Sequence, residues 1–334
     1  MMDYATFKAV AEKKILDYFP DSFKNATVEI KPITKVNKTK DAITIFADDD
    51  MKITPNFYLD DMYEHYKNFE DLEEVFSKVA ASYVRELEAA KDFRLPVFSK
   101  EFVSENVFMT MVNTESNKEL LMNAVHRDIN DCSVIYRIMV DNSERGLASI
   151  MVTNDIAETA ELSEQELFLA ASENTKRILP AKIMNMKEVI MGTMTKDGMP
   201  REVAESLIGS QEEMELPMWV ITNESGINGA VNMLYDENLQ MLSQKLNDDL
   251  YILPSSIHEV ICIPASMGEP EQLAEMVNEV NMACVCLEDR LSNQVYHYDK
   301  DLRKLTMATD TPNKGIGDMV AEQSLIYEAK EQKR

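Results

Sequence analysis

The stretch Leu250-Tyr251-Ile252-Leu253-Pro254-Ser255-Ser256-Ile257-His258-Glu259-Val260-Ile261-Cys262-Ile263 decides the fold class. Two short apolar runs, Leu250 to Leu253 and Glu259 to Ile263, flank a Pro-Ser-Ser turn and read as a hairpin-like pair of strands. The second run is apolar on both faces, so it needs cover. The next segment supplies it. Pro270 suits the first turn of a helix, which carries Leu273, Met276, Val277, Val280, Cys284 and Leu287 on one side. Residues 249–307 are therefore expected to pack as one unit, with this helix across the strand Glu259 to Ile263. Gln294 to Tyr298 and Leu302 to Met307 are expected to close it as a hairpin.

Upstream, the same mixture recurs. Phe7, Val10, Ala11, Ile15 and Tyr18 predict a helix over 4–19, followed by strands at Thr27 to Ile33 and Ala42 to Phe46, with Lys35, Lys38 and Lys40 in their connection. Asp48-Asp49-Asp50 reads as a loop, without the alternation or glycine of a calcium site. An apolar stripe of Phe69, Leu72, Val75, Phe76, Val79, Tyr83 and Leu87 predicts a long helix. Strands are expected at Val107 to Val112, Cys132 to Val140 and Ala148 to Val152, then at Met218 to Thr222 and Ala230 to Tyr235. A helix is expected over Glu237 to Leu246. Ser116 to Glu119 and Ser163 to Glu166 have the spacing of capping boxes. Residues 181–215 carry no clear pattern. Irregularly ordered strand pairs and helices predict an α+β fold with mixed or antiparallel sheets, not a doubly wound nucleotide-binding fold. The expected regions are 1–100, 101–215, 216–308 and a polar tail, 309–334, packed as one or two domains.

The formal net charge is −25, and it is uneven: residues 1–100 hold 19 acids and 15 bases, residues 101–334 hold 40 and 19. Such a surface repels nucleic acid and anionic lipid, and attracts a basic partner protein, imitates a polyanion at a nucleic-acid-binding site, or simply keeps the chain soluble. Met1 to Phe19 is amphipathic rather than an apolar block, so no signal peptide is expected, and no run approaches a membrane span. The cytoplasm is the expected compartment.

Cys132, Cys262, Cys284 and Cys286 include no CxxC pair, and the last two are read within a helix on different faces. Phosphate-binding glycine motifs, HExxH and GxSxG are all missing from the sequence. His126-Arg127-Asp128 imitates a kinase catalytic loop, but Ser133 stands where that loop needs Asn. No cofactor is expected. His65 has no sequence case for function.

Three polar clusters remain. Ser256 and His258 have the chemistry of a nucleophile and base, with Glu259 to orient the ring. The structural reading makes Ser255, Ser256 and His258 a polar network that satisfies the turn's own backbone, joined by Asn281 from the helix after Pro270. Neighbours in a strand point apart, which separates His258 from Glu259. His126, Asp128 and Asp131 could ligate a divalent metal. Arg127 among them favours salt bridges instead.

Ile53 to Leu59, Val112 to Asn117, Ala171 to Thr175 with Leu179-Pro180, Ile252 to Ile261, Glu279 to Asn281 and Leu291 to Tyr296 carry a resemblance. The chain resembles an uncharacterised bacterial family, the domain of unknown function 5688 type, of Gram-positive anaerobes and often on mobile elements. The resemblance spans about residues 25–300, leaving the first 24 residues and the tail outside. It implies a single recurring fold and supplies no activity, cofactor or catalytic residue. Two functions follow as expectations. One is a non-catalytic acidic protein acting through protein contacts, as a mobile-element accessory or counter-defence factor. The other is a hydrolase using Ser256, His258 and Glu259.

Overall fold

Asp3 accepts a hydrogen bond from the Thr6 N–H at 2.7 Å and so caps the first helix, α1 (Tyr4–Lys14). The structure is a computed structural model and describes residues 1–47, 54–90, 95–143, 146–209 and 217–309, so Asp48 to Asp50 and the 310–334 tail lie outside it. The chain divides into two compact units, Met1–Pro96 and Val97–Arg334.

In the first unit, α1 is followed by β1 (Thr27–Lys35), β2 (Lys38–Phe46), β3 (Asn56–Tyr58), α2 (Leu59–Phe69) and α3 (Leu72–Ala90). The strands form one antiparallel sheet in the order β1-β2-β3. The lysine-rich segment is not a loose connection. Lys35 pairs with Lys38 across a two-residue turn, and Asn37 takes the left-handed conformation (φ 61°) that such a turn requires. Phe7, Ile43, Leu59, Phe76 and Tyr83 centre the core. Phe69 is exposed, because Glu70 ends α2 in the left-handed region (φ 54°) just beyond it. His65 is half-buried with its ring against Phe69.

The second unit opens with α4 (Lys100–Asn106), β4 (Val107–Asn113), α5 (Lys118–Asn123), β5 (His126–Ile129), β6 (Cys132–Ser143), β7 (Gly146–Met151), α6 (Asn154–Thr159) and α7 (Glu164–Ile178). The long β6 pairs with β4 on one side and with β5 and β7 on the other. The remaining elements are β8 (Ala181–Asn185), α8 (Met186–Lys196), α9 (Arg201–Gly209), β9 (Trp219–Asn223), α10 (Asp236–Leu246), β10 (Leu250–Leu253), β11 (Val260–Pro264), α11 (Pro270–Cys284), β12 (Tyr296–Asp299) and β13 (Lys304–Met307). Their strands form a six-stranded antiparallel sheet, β13-β12-β10-β11-β9-β8. One core joins the two sheets through Phe108, Tyr136, Leu167, Ile221, Ile252 and Tyr296. The fold is α+β, antiparallel throughout the described strands. Among the described residues no helix is long and apolar enough to cross a membrane.

The expected regions on either side of residue 215 share one sheet, since β8 pairs with β9 from Ala181↔Asn223 to Asn185↔Trp219. Three expectations need correction. Ala230 to Tyr235 is no strand: Gly229–Leu234 is a 3-10 helix buried at every position from Gly229 to Met233, and a run buried on all sides shows no period to read. Ser116 caps nothing. A 3-10 turn, Glu115–Asn117, intervenes before α5, and Asn113 Oδ1 takes the Ser116 N–H at 3.0 Å. The buried stripe of α11 is Ala274, Val277 and Asn281, whereas Met276, Val280, Cys284 and Cys286 are exposed and the helix stops at Cys284. Its contact lies mainly on Leu253 of β10 and on Val295, with Ile261 of β11 at the margin. The second capping box is present: Ser163 N–H donates to Glu166 Oε2 at 2.9 Å, and Glu166 N–H to Ser163 Oγ at 3.3 Å.

Candidate functional site

The segment joining β10 to β11 runs antiparallel to residues 289–292. Ile257 N–H donates to the Asp289 carbonyl at 2.8 Å, Leu291 N–H to Ser255 at 3.0 Å, and Ser292 N–H to Pro254 at 2.8 Å. Ser255 thus serves through its carbonyl. Ser256 is buried, and its Oγ accepts the His258 N–H at 3.0 Å, a turn closed by a hydroxyl. The His258 carbonyl receives Gly229 N–H at 3.0 Å and Thr222 Oγ1–H at 2.8 Å. That approach requires glycine, since a Cβ at 229 would lie 2.5 Å from the same carbonyl oxygen.

The ring of His258 is held from two directions. The backbone N–H of Asn228 donates to Nδ1 at 3.1 Å, so Nε2 carries the ring proton and donates it to Asp289 Oδ1 at 3.1 Å. Asp289, 31 residues away, is the carboxylate partner that sequence reasoning missed. Glu259 is not that partner. Burial pushes its carboxyl above the ordinary range, with the Ser256 hydroxyl opposing and the Asp289 carboxylate adding to the rise. A nucleophile–base pair needs a ring nitrogen facing the hydroxyl. Here both ring nitrogens are occupied by Asn228 and Asp289, and Ser256 Oγ serves the backbone.

Asn281 does not reach the Ser-Ser-His turn. Its Nδ2 donates to the Ser292 carbonyl at 3.1 Å and to Asn293 Oδ1 at 2.6 Å, because α11 lies over β10 and residue 295 rather than over the turn. Its Oδ1 is buried without a partner among the described residues.

In the His126 cluster, His126 Nε2 and Asp128 Oδ1 stay 3.8 Å apart, while Asp131 and Arg127 bond elsewhere. His126 Nδ1 bonds the Ala124 carbonyl at 2.9 Å, and Asp128 accepts from Ser133 Oγ at 2.6 Å. Asp131 accepts from Ser292 Oγ at 2.5 Å and from the Tyr296 hydroxyl, which ties the β5–β6 turn to the six-stranded sheet. Arg127 grips Glu164 with both arms, at 2.8 and 2.7 Å, and lies over Phe168. Burial opposes ionisation of Glu164, but Arg127 and the Tyr136 hydroxyl outweigh it and hold the carboxyl below its ordinary range. Among the described residues no three His, Cys, Asp or Glu side chains come together as a metal site.

A cavity of about 470 Å³ lies elsewhere in this unit, between α7, residues 233–239 and the β12–β13 hairpin. Asp236, at the start of α10, accepts from Tyr298 OH at 2.6 Å and from Arg303. Lys176 of α7 bonds Glu237 at 2.8 Å and lies over the Tyr235 ring. The sequence held no signal for this site, because its charged residues come from segments 60 or more positions apart.

The search of curated proteins and of solved structures found no match. A family model matches residues 4–300, reaching back through α1 where the sequence reading began near residue 25. By that span, the chain belongs to DUF5688, a family of unknown function.

Proposed function

We propose that this chain works by binding rather than by catalysis, as an acidic cytoplasmic protein whose surface meets a basic protein partner. The observation that carries this reading is the use of His258. Both of its ring nitrogens are taken up in holding the turn, so the best nucleophile–base candidate in the sequence has no base to offer. The charge supports the partner's chemistry, since residues 101–334 hold 40 acids against 19 bases. Such a protein suits the part of an accessory or counter-defence factor of a mobile element, the setting the family resemblance implies.

The test is capture from the native host on immobilised chain, washed with a salt gradient from about 50 mM to about 0.5 M, where the screening length falls severalfold. A basic protein retained at low salt and released at high salt is expected. A retained set with no excess of basic proteins overturns the reading. So does esterase activity of the purified chain that Ser256→Ala abolishes, which would revive the hydrolase of Ser256, His258 and Glu259.

A further inference from the structure

The cavity between α7 and the β12–β13 hairpin joins an apolar wall to two cations. Its apolar wall comes from Met109, Phe168, Met233, Leu239 and Leu305. Its charged lining residues are Lys176, Arg303 and Asp236, and Glu237, bonded to Lys176, brings the local charge to balance. We propose that this cavity binds a small organic monocarboxylate with an apolar body, the carboxylate lying at Arg303 and Lys176.

Size, charge and availability agree. At about 470 Å³ the space is roughly three times the ~150 Å³ that accepts benzene, and within the usual range for ligand sites. It therefore takes an aryl or branched alkyl group together with a short acid chain. Each cation already faces one acid, so the balanced site admits a monoanion more readily than a doubly charged phosphate ester. A cationic ligand would have to displace the Arg303 guanidinium from Asp236, the one acid in the lining, whereas a carboxylate can use donors that Arg303 does not spend on Asp236.

Both cations are within reach of a ligand. Their ion pairs are solvent-exposed: the side chains of Lys176 and Glu237 are 46% and 59% accessible, those of Arg303 and Asp236 55% and 40%. Pairs of this kind contribute little and exchange readily. The Arg303 guanidinium has five N–H donors, so it can hold Asp236 and a ligand carboxylate together. The site is independent of the protein–protein reading above, and either can fail without the other.

The experiment is calorimetric titration, with amide chemical shifts as a second readout, of the full chain with 3-phenylpropionate, hexanoate and indole-3-acetate. The neutral alcohol 3-phenyl-1-propanol and the cation 3-phenylpropylammonium are the controls. At least one acid is expected to bind saturably, with the alcohol about tenfold weaker and the ammonium weaker still. Arg303→Gln and Lys176→Gln are each expected to weaken the acid about tenfold while leaving the melting temperature unchanged. The proposal is overturned if no acid saturates by about 10 mM, if the alcohol binds as tightly as the acid, or if neither charge variant changes the affinity.

Discussion

The turn Pro254–Glu259 and the cavity beside Tyr298 are both polar, yet they use their polar groups in opposite ways. In the turn every named contact ends on backbone or on a partner held by it: Ser256 on His258 N–H, His258 on Asn228 N–H and Asp289, Gly229 on the His258 carbonyl. Removing one member of this partly buried arrangement, in which the His258 and Asp289 side chains are 28% and 38% accessible, strands the other, at about 1 kcal/mol or more per group. Around the cavity the ion pairs are open to water, where a pair contributes little. The same chemical types therefore hold the fold in one place and stay free to change partners in the other. The difference lies in what the contacts anchor, backbone in the turn and other side chains at the cavity, more than in burial.

The sharpest way to break this contrast is at Gly229. An alanine Cβ there would sit 2.5 Å from both the His258 carbonyl oxygen and Thr222 Oγ1, and 2.8 Å from the Asn223 nitrogen. Two of these three atoms are backbone and have little room to yield. Gly229→Ala is expected to cost about 3 kcal/mol in denaturant-monitored unfolding. A loss below about 0.5 kcal/mol would mean that the turn is not clamped, and the contrast would fail. His258→Ala comes next, at about 2 kcal/mol, because it leaves the Asn228 N–H and the Asp289 carboxylate without their ring partner. A calorimetric melt indistinguishable from the parent would make the turn a candidate for chemistry again.

Why the turn was partly legible and the cavity invisible follows from sequence distance. The Ser256 contact is made two residues away, so local turn chemistry announces it. Asn228 and Asp289 lie 30 and 31 residues from His258, and nothing in the flanking residues names them. The strands of the hairpins and the Ser163 box were readable for the same local reason. Gly229–Leu234 was not, because full burial erases the period that separates helix from strand. The face of α11 was misjudged by about one residue. The stripe chosen by hydrophobicity included Met276 and Val280, whereas the small Ala274 and the polar Asn281 are what fit against the sheet. Hydrophobicity ranks side chains, but close packing selects them by shape as well.

Two carboxyls of opposite shift sharpen the comparison through pH. Glu164 is held below its ordinary range, so its contribution is present at neutral pH and fades as pH falls below the unfolded value, near 4.3, toward the lower folded one. Glu164→Gln is expected to cost about 1.5 kcal/mol at pH 7, since Arg127 loses a two-armed partner, and much less at pH 3. Glu259 is shifted upward by burial, so its contribution is present below the unfolded value and lost as pH rises through the folded one. Glu259→Gln is therefore expected to raise the melting temperature at pH 7 and to give no gain at pH 4. A variant that melts lower at pH 7 would mean that the carboxylate is itself a needed acceptor in the turn.

The smallest expected effect tests the other half of the contrast. Lys176 bonds Glu237 at 2.8 Å and stands 5.1 Å from the centre of the Tyr235 ring, a pair of contacts that looks as specific as anything in the turn. Its hydrogen bond to Glu237 raises the pKa of the lysine, so it stays charged through the neutral range. Yet the two side chains are 46% and 59% accessible, and water and salt replace most of what the pair offers. Lys176→Gln and Glu237→Gln, alone and together, are expected to change stability by less than about 0.5 kcal/mol, with a coupling of similar size in the double-mutant cycle. A coupling above about 1 kcal/mol would show the lysine to be held as firmly as His258. A lysine fixed in that way could not turn to an incoming carboxylate without loss, and the cavity would then be a packed feature of the fold rather than a place where a ligand is received.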